Sequence, residues 1–157
     1  DLPLVIDADG LNILAENPDL YQYIAKPNVL ITPHWGEFAR LAKIEKSDLQ
    51  ADCLQELKAF VDKYQAQVLL KSHFSIFCNT EVTWVNIAGN DGLATGGSGD
   101  VLSGIITSFL AQGLNISEAA INASYLLGAT AEKLAKKRST ASILPSDIID
   151  NLFIKDI

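Results

Sequence analysis

Methionine is missing from this chain altogether, and the first residue, Asp1, stands directly before an apolar run. A native start carries an initiator Met unless it is processed, so the sequence reads as part of a longer protein. An exposed or unpartnered first strand is one expected consequence. Cysteine is scarce. Cys53 and Cys78 are too few for a disulfide framework, and each sits in an apolar pattern, helical for Cys53 and strand-like for Cys78, as reduced thiols in or near a core do. Positive charge is also in short supply: 12 Lys and Arg against 19 Asp and Glu give a formal charge of −7. No basic stripe breaks that balance, which argues against nucleic acid or an anionic membrane as a partner. Lys136, Lys137 and Arg138 cluster at a helix end, where cations complement the dipole. No apolar run reaches membrane-spanning length and no signal-peptide pattern is present, so the expected address is the cytoplasm. No His/Cys cluster has zinc-ligand spacing. Gly97-Ser98-Gly99 lacks the frame of a nucleophile elbow, with no convincing acid and His partner.

What is there is an ordinary globular composition, 48% hydrophobic over 157 residues, enough for one domain over residues 1–157 that buries roughly 70% of its unfolded surface. Leu2 to Ile6, Asn28 to Thr32 and Gln67 to Lys71 read as buried strands. Phe74 to Cys78 and Val82 to Ile87 flank Asn79-Thr-Glu as a hairpin. Between them the spacing predicts helices over Leu11 to Glu16 and Gly36 to Lys43. A longer helix is capped by Ser47 and runs to Tyr64. After Gly113, Ser117 caps a long helix to about Lys137, and Pro145-Ser-Asp opens a last one through Phe153. No internal repeat or low-complexity linker interrupts the series. Strands alternating with helices predict an α/β fold, a mostly parallel sheet covered on both faces. In such sheets ligands sit outside the carboxyl ends of the strands. Asp7-Ala-Asp, Pro33-His-Trp-Gly-Glu, Lys71-Ser-His and a glycine-rich loop each follow a strand and are expected to converge at one edge.

That loop carries the most chemistry. Gly92, Gly96, Gly97 and Gly99 run into Asp100, behind which Val101, Leu102, Ile105, Ile106 and Phe109 recur at helical spacing. A glycine-rich turn therefore opens a helix, with a carboxylate at its mouth. Converging backbone N–H groups and the positive end of the helix make a site for phosphate. Two familiar phosphate loops are excluded: a Walker loop needs Lys directly after its last glycine, where Ser98 stands, and the dinucleotide fingerprint needs glycine where Leu102 stands. Asp100 is a base toward a hydroxyl within hydrogen-bond reach or a helix cap, and the Gly97, Ser98 and Gly99 amides can neutralise a transferred phosphoryl group. His34, between Pro33 and Trp35, is a donor to a polar substrate or a structural histidine, and Trp35 offers a ring for stacking. Glu37 favours the first turn of its helix. Asp7, Asp9 and Asn12 are water-mediated magnesium ligands or turn formers. Lys71 meets nucleotide phosphate or extends to solvent. His73 and Ser75 follow it.

Three segments carry a resemblance. Asp7-Ala-Asp-Gly-Leu-Asn, Thr32-Pro-His-Trp-Gly-Glu-Phe and Gly89-Asn-Asp-Gly-Leu-Ala-Thr-Gly-Gly-Ser-Gly-Asp-Val-Leu resemble, in order and spacing and across nearly the whole chain, the ADP/ATP-dependent NAD(P)H-hydrate dehydratase family of the ribokinase-like superfamily. The resemblance implies a ribokinase-like three-layer α/β/α sandwich, of which this chain holds the C-terminal portion. It implies ATP or ADP as phosphoryl donor with Mg2+, a hydrated NADH or NADPH whose ring hydroxyl is phosphorylated and lost as phosphate, and a homo-oligomer. By carry-over Asp100 is the base and touches the substrate, and His34 binds the hydrate. Lys71, Ser72, His73, Phe74, Ser75, Gly97, Ser98 and Gly99 bind the nucleotide. Trp35 replaces the family's usual Pro, Ser72 a glycine, Ser98 a Thr and Leu93 a Met. A kinase of the same superfamily acting on a vitamin precursor or sugar, and a nucleotide-binding fragment without turnover, are the alternative readings.

Overall fold

The computed structural model describes residues 2–152. Five strands form one sheet in the order β1 to β5: β1 (Leu4–Ile6), β2 (Val29–Ile31), β3 (Gln67–Leu70), β4 (Ser75–Cys78) and β5 (Thr83–Asn86). β1, β2 and β3 run parallel, with Leu4 opposite Val29 and Ile31 opposite Val68. β4 and β5 are antiparallel, so the sheet is mostly parallel with a hairpin at one edge. The Asn79 side chain shapes that hairpin by accepting the Glu81 and Val82 N–H groups at 2.9 and 2.7 Å, the local bonding that favours Asn at turns. β1 lies at the other edge with Leu4 half exposed.

The period-two alternation of strand side chains divides the core between the two faces of the sheet. Val29, Ile31, Val68, Leu70, Ile76 and Cys78 face the first layer, built from α1 (Asp9–Glu16), α2 (Trp35–Ala42), α3 (Lys46–Ala51) and α4 (Cys53–Tyr64). Leu30, Leu69 and Phe77 face the second, built from α5 (Ser98–Ala111), α6 (Ile116–Ala135) and α7 (Pro145–Asn151). The result is the three-layer arrangement expected from the sequence. Both cysteines are free, Cys78 buried and Cys53 partly so. No helix among the described residues is long and apolar enough to cross a membrane.

Several boundaries differ from the sequence reading. The helix expected from Ser47 to Tyr64 is two helices. Asp52 stands between them at φ −154° and accepts the Gln55 N–H at 3.0 Å, capping α4 afresh. The first of the two is opened by Glu45, not Ser47, with Asp48 bonding back to the Glu45 N–H. Asn115, rather than Ser117, caps α6, in a reciprocal pair with Glu118. The Asn115–Glu118 pair is bonded in both directions, and such a capping box outweighs a neighbouring hydroxyl because it satisfies two backbone donors at once. The last helix ends at Asn151; Phe153, to which it was expected to run, lies outside the described residues.

Candidate active site

The polar segments that follow the three parallel strands meet at one edge of the sheet. Asp7 follows β1, the Pro33-His34 segment follows β2 and Lys71 follows β3. The Lys71 N–H donates to the Pro33 carbonyl at 2.7 Å, and His34 and Lys71 pair as an isolated parallel bridge. Lys71 Nζ reaches back to Asp7 Oδ1 at 2.6 Å, with only about a fifth of either side chain exposed. The glycine loop comes down on this pair. A Cβ placed on Gly99 would lie 3.3 Å from Lys71 Nζ and 3.8 Å from Asp7 Oδ2. The missing side chain is what lets the α5 N-terminus and the ammonium share one space.

Gly97, not Gly99, is the strained position of the turn: it is the N-cap of α5 with φ 95°. No side chain caps the start of α5. The Ser98 N–H turns back to the Thr95 carbonyl at 3.2 Å, and the Gly99 and Asp100 N–H groups are the ones left to an anion, as at other helix N-termini. Asp100 is the third residue of α5 and is exposed. Its carboxylate has no protein partner among the described residues, so the capping alternative gives way.

The start of the loop is anchored on α6. Asn86, buried at the end of β5, donates from Nδ2 to the Ser124 carbonyl and Oγ, both at 3.0 Å, while its Oδ1 accepts the Ala88 N–H at 3.0 Å. Gly89, at φ 131°, donates its N–H to Glu132 Oε1 at 2.9 Å. Gly128 lets helix and loop touch: a Cβ there would sit 2.3 Å from the Ala88 carbonyl oxygen.

Lys71, Ser72, His73, Phe74 and Ser75 line a cleft of about 610 Å³ together with His34, the 86–91 segment and Ser124. This volume is ample for a nucleotide-sized ligand. Phe74 is half exposed there, its ring edge-on to His73 with centroids 4.5 Å apart. Asp100 borders a different cleft, apolar and about 380 Å³, with Val101, Gly104, Ile105 and Ile149. The fold therefore brings together Lys71 to Ser75, His34 and the start of the loop, with Gly99 beside Lys71 Nζ; Gly97, Ser98 and Gly99 do not line this cleft, and Asp100 borders the other one.

His34 holds a double role. Its Nδ1 accepts the Gly36 and Glu37 N–H groups at 2.9 and 3.2 Å, and Glu37 Oε2 accepts the His34 N–H at 2.7 Å. An imidazole nitrogen that accepts carries no proton, so the ring is the Nε2–H tautomer. Nε2 stands 3.5 Å from Glu37 Oε1, and about half of the side chain is exposed. One nitrogen builds the helix start, and the other, on a half-exposed ring, lies near Glu37 Oε1 and within reach of solvent. Trp35, expected to offer a stacking face, instead packs against the α1–α4 core. The sequence reading missed Asn86, Ser103, Ser124 and Gly128. For Gly128 a signal existed, since a glycine inside an otherwise good helix marks a close approach.

Comparison with known proteins gives a consistent picture. A family model described as NAD(P)H-hydrate dehydratase matches residues 1–153. The chain is 36% identical to a bifunctional NAD(P)H-hydrate repair enzyme of Coxiella burnetii, covering 97% of this chain and 30% of that protein. It is 40% identical to an ADP-dependent (S)-NAD(P)H-hydrate dehydratase of Neisseria meningitidis, covering 90% and 49%. Among solved structures, a ribokinase-like superfamily protein of Enterococcus faecalis superposes with a TM-score of 0.84 at 31% identity, over 96% of this chain and 50% of that one. The ADP/ATP-dependent NAD(P)H-hydrate dehydratase of Bacillus subtilis, co-crystallised with ATP/Mg2+, does so at 0.81 and 29%, over 96% and 52%. The chain thus spans about half the length, or less, of the relatives it matches. The ribokinase-like α/β fold expected from the motifs is the fold found.

Proposed function

The chain belongs to the NAD(P)H-hydrate dehydratase family, and from that premise we propose that it carries the nucleotide site and the base for dehydrating hydrated NADH or NADPH at the expense of ATP or ADP. One observation supports this above the others: the Gly97–Gly99 turn opens α5 directly against Lys71 Nζ, which stands 3.3 Å from the missing Gly99 Cβ. Uncapped amides, a helix N-terminus and an ammonium around one point suit the terminal phosphates of a nucleotide. Lys71 to Ser75 and Gly97, Ser98 and Gly99 would hold that nucleotide. Mg2+ would arrive on its phosphates and offset charge as the phosphoryl group moves.

In this reading Asp100 takes the proton of the substrate's ring hydroxyl as that oxygen bonds to the terminal phosphorus. The bond from phosphorus to the nucleotide's bridging oxygen breaks, releasing the shorter nucleotide. The new phosphate ester leaves with the carbon–oxygen electron pair, assisted by the ring nitrogen. A proton lost from the neighbouring carbon restores the dihydronicotinamide. His34 Nε2–H would donate a hydrogen bond to the hydrate. Work as a homo-oligomer in the cytoplasm, with no nucleic-acid or membrane partner, belongs to the same proposal, and light scattering on the purified chain reads the first part.

The test is incubation of the protein with hydrated NADH and ATP or ADP while nicotinamide absorbance and free phosphate are followed. Both should rise together, and Asp100→Asn should lower the rate by roughly 10²–10⁴ with nucleotide affinity held within a few-fold. A phosphorylated product without recovered absorbance would make the protein a kinase. The exposed Asp100 carboxylate, turned to a separate cleft, favours one second reading, a nucleotide-binding chain without turnover, for which ADP would bind and no phosphate appear.

A further inference from the structure

Both oxygens of the Asp7 carboxylate are engaged. Oδ1 accepts from Lys71 Nζ at 2.6 Å and from the Ala8 N–H at 2.9 Å, and Oδ2 accepts from Ser103 Oγ at 3.0 Å. These partners come from three places in the chain. Lys71 follows β3, two strands away across β2. Ser103 lies on α5, one turn beyond Gly99. Asp7 is thus a node between the sheet edge that carries the ammonium and the helix whose N-terminus carries the anion-binding amides.

The geometry bears on Lys71 rather than on a cation site. A lysine is a point charge on a flexible stem, and fixing it at one spot costs conformational entropy. Asp7 meets that cost in the folded protein, before any ligand arrives. The ammonium is held where it faces Gly99, and the pair is largely shielded from water, which makes it firmer than a surface ion pair. Both oxygens already satisfied by donors leave Asp7 poorly placed as a magnesium ligand. Ser103 meanwhile fixes the rotation of α5 relative to Lys71, so that amides and ammonium keep one spacing.

We propose that Asp7 is a positioning residue for nucleotide binding: through Oδ1 it presets Lys71 and through Oδ2 and Ser103 it locks the glycine-loop helix against that lysine. The proposal rests on the reading of Lys71 and the loop as the nucleotide site. Preorganised groups of this kind strengthen binding by sparing the ligand the ordering cost.

The experiment is a double-mutant cycle on ADP affinity, by calorimetry on the whole chain, with melting temperatures recorded for every variant. Asp7→Asn should weaken ADP binding about tenfold and Ser103→Ala about threefold, within the range of immobilising one flexible side chain. In a Lys71→Gln background, Asp7→Asn should add almost nothing, because the group it positions is gone. A role in general stability would not produce that loss of effect. Equal losses from Asp7→Asn with and without Lys71 would overturn the proposal, and so would tighter ADP binding, which would mean that Asp7 chiefly repels the phosphates. Should Asp7→Asn fail to fold, Ser103→Ala decides: unchanged affinity in that folded variant overturns the proposal. A parent chain that binds no ADP would overturn the reading of the site itself, whereas ADP binding that responds to Lys71→Gln but not to Asp7→Asn overturns only the positioning role.

Discussion

Two glycines inside helices should respond in opposite ways to the same substitution. Gly128 in α6 faces the loop so closely that a Cβ would stand 2.3 Å from the Ala88 oxygen, 2.6 Å from its carbon and 3.0 Å from the Gly89 nitrogen. All three atoms are backbone, so no side chain can rotate away. Reaching ordinary contact requires the loop to retreat by about 1 Å, against the Asn86–Ser124 bonds and the Gly89–Glu132 bond that hold it. Overpacking of this kind costs about 1–3 kcal/mol, and the rigid partner places Gly128→Ala toward the upper end. Alanine returns about 1 kcal/mol as a better helix former. The expected net loss is therefore about 2 kcal/mol, or a fall in melting temperature of roughly 4–8 °C for a domain of this size. Gly104 in α5 has nothing within 4 Å of its would-be Cβ. Gly104→Ala keeps the helix gain alone and should raise the melting temperature by roughly 2–4 °C. Calorimetry or thermal circular dichroism on both variants reads the contrast. A Gly128→Ala protein as stable as its parent would refute the argument that this glycine exists for the loop.

Gly99→Val should weaken ADP and ATP binding strongly while the fold survives, since the new side chain would enter the space in front of Lys71 Nζ; unchanged affinity by calorimetry would move the nucleotide elsewhere. His34→Ala should lose about 1 kcal/mol of stability with its cap and also impair use of the hydrate, whereas His34→Asn keeps a capping oxygen and should impair only the hydrate, at unchanged ADP affinity. Normal hydrate kinetics in the Asn variant would assign His34 to the scaffold alone. Asp147 is held below the ordinary carboxylate range by the Leu144 backbone N–H, then by Arg138. A depressed folded-state value gives stability that is present above the unfolded value and lost as pH falls through the folded one. Asp147→Asn should therefore lower the melting temperature near neutrality and match the parent in strong acid, and a gap that persists there would contradict the assignment.

Element types were legible wherever one period dominated. The strands at Val29, Gln67 and Ser75 are runs of apolar residues whose two faces are both covered, and the hairpin announced itself through Asn79. Boundaries failed where two backbone donors could be satisfied by more than one arrangement. Asp52 lies in the middle of a good amphipathic pattern, and nothing local says that its side chain will accept the Gln55 N–H and start a second helix instead of continuing the first. Capping by Asn115 in place of Ser117 is the same ambiguity resolved by a reciprocal bond to Glu118.

The site divides along a different line. Residues whose placement depends on one strand end and the segment after it, such as Lys71 and His34, were expected at the sheet edge because the topology forces strand ends together. Those that act across elements were not. Ser103 sits at an unremarkable helix position and matters only because α5 brings it to Asp7, which lies 96 residues earlier in the chain. Trp35 shows the converse: its neighbourhood to His34 in sequence suggested a ligand-facing ring, yet α2 packs it, partly buried, against the core, while His34, one residue before the helix, keeps about half of its side chain exposed. The distinction matters for design of the tests. A local residue such as His34 can be probed by one substitution that separates cap from donor. A cross-element residue such as Ser103 has no local phenotype to separate, and only its coupling to Lys71 and Asp7 can reveal what it does.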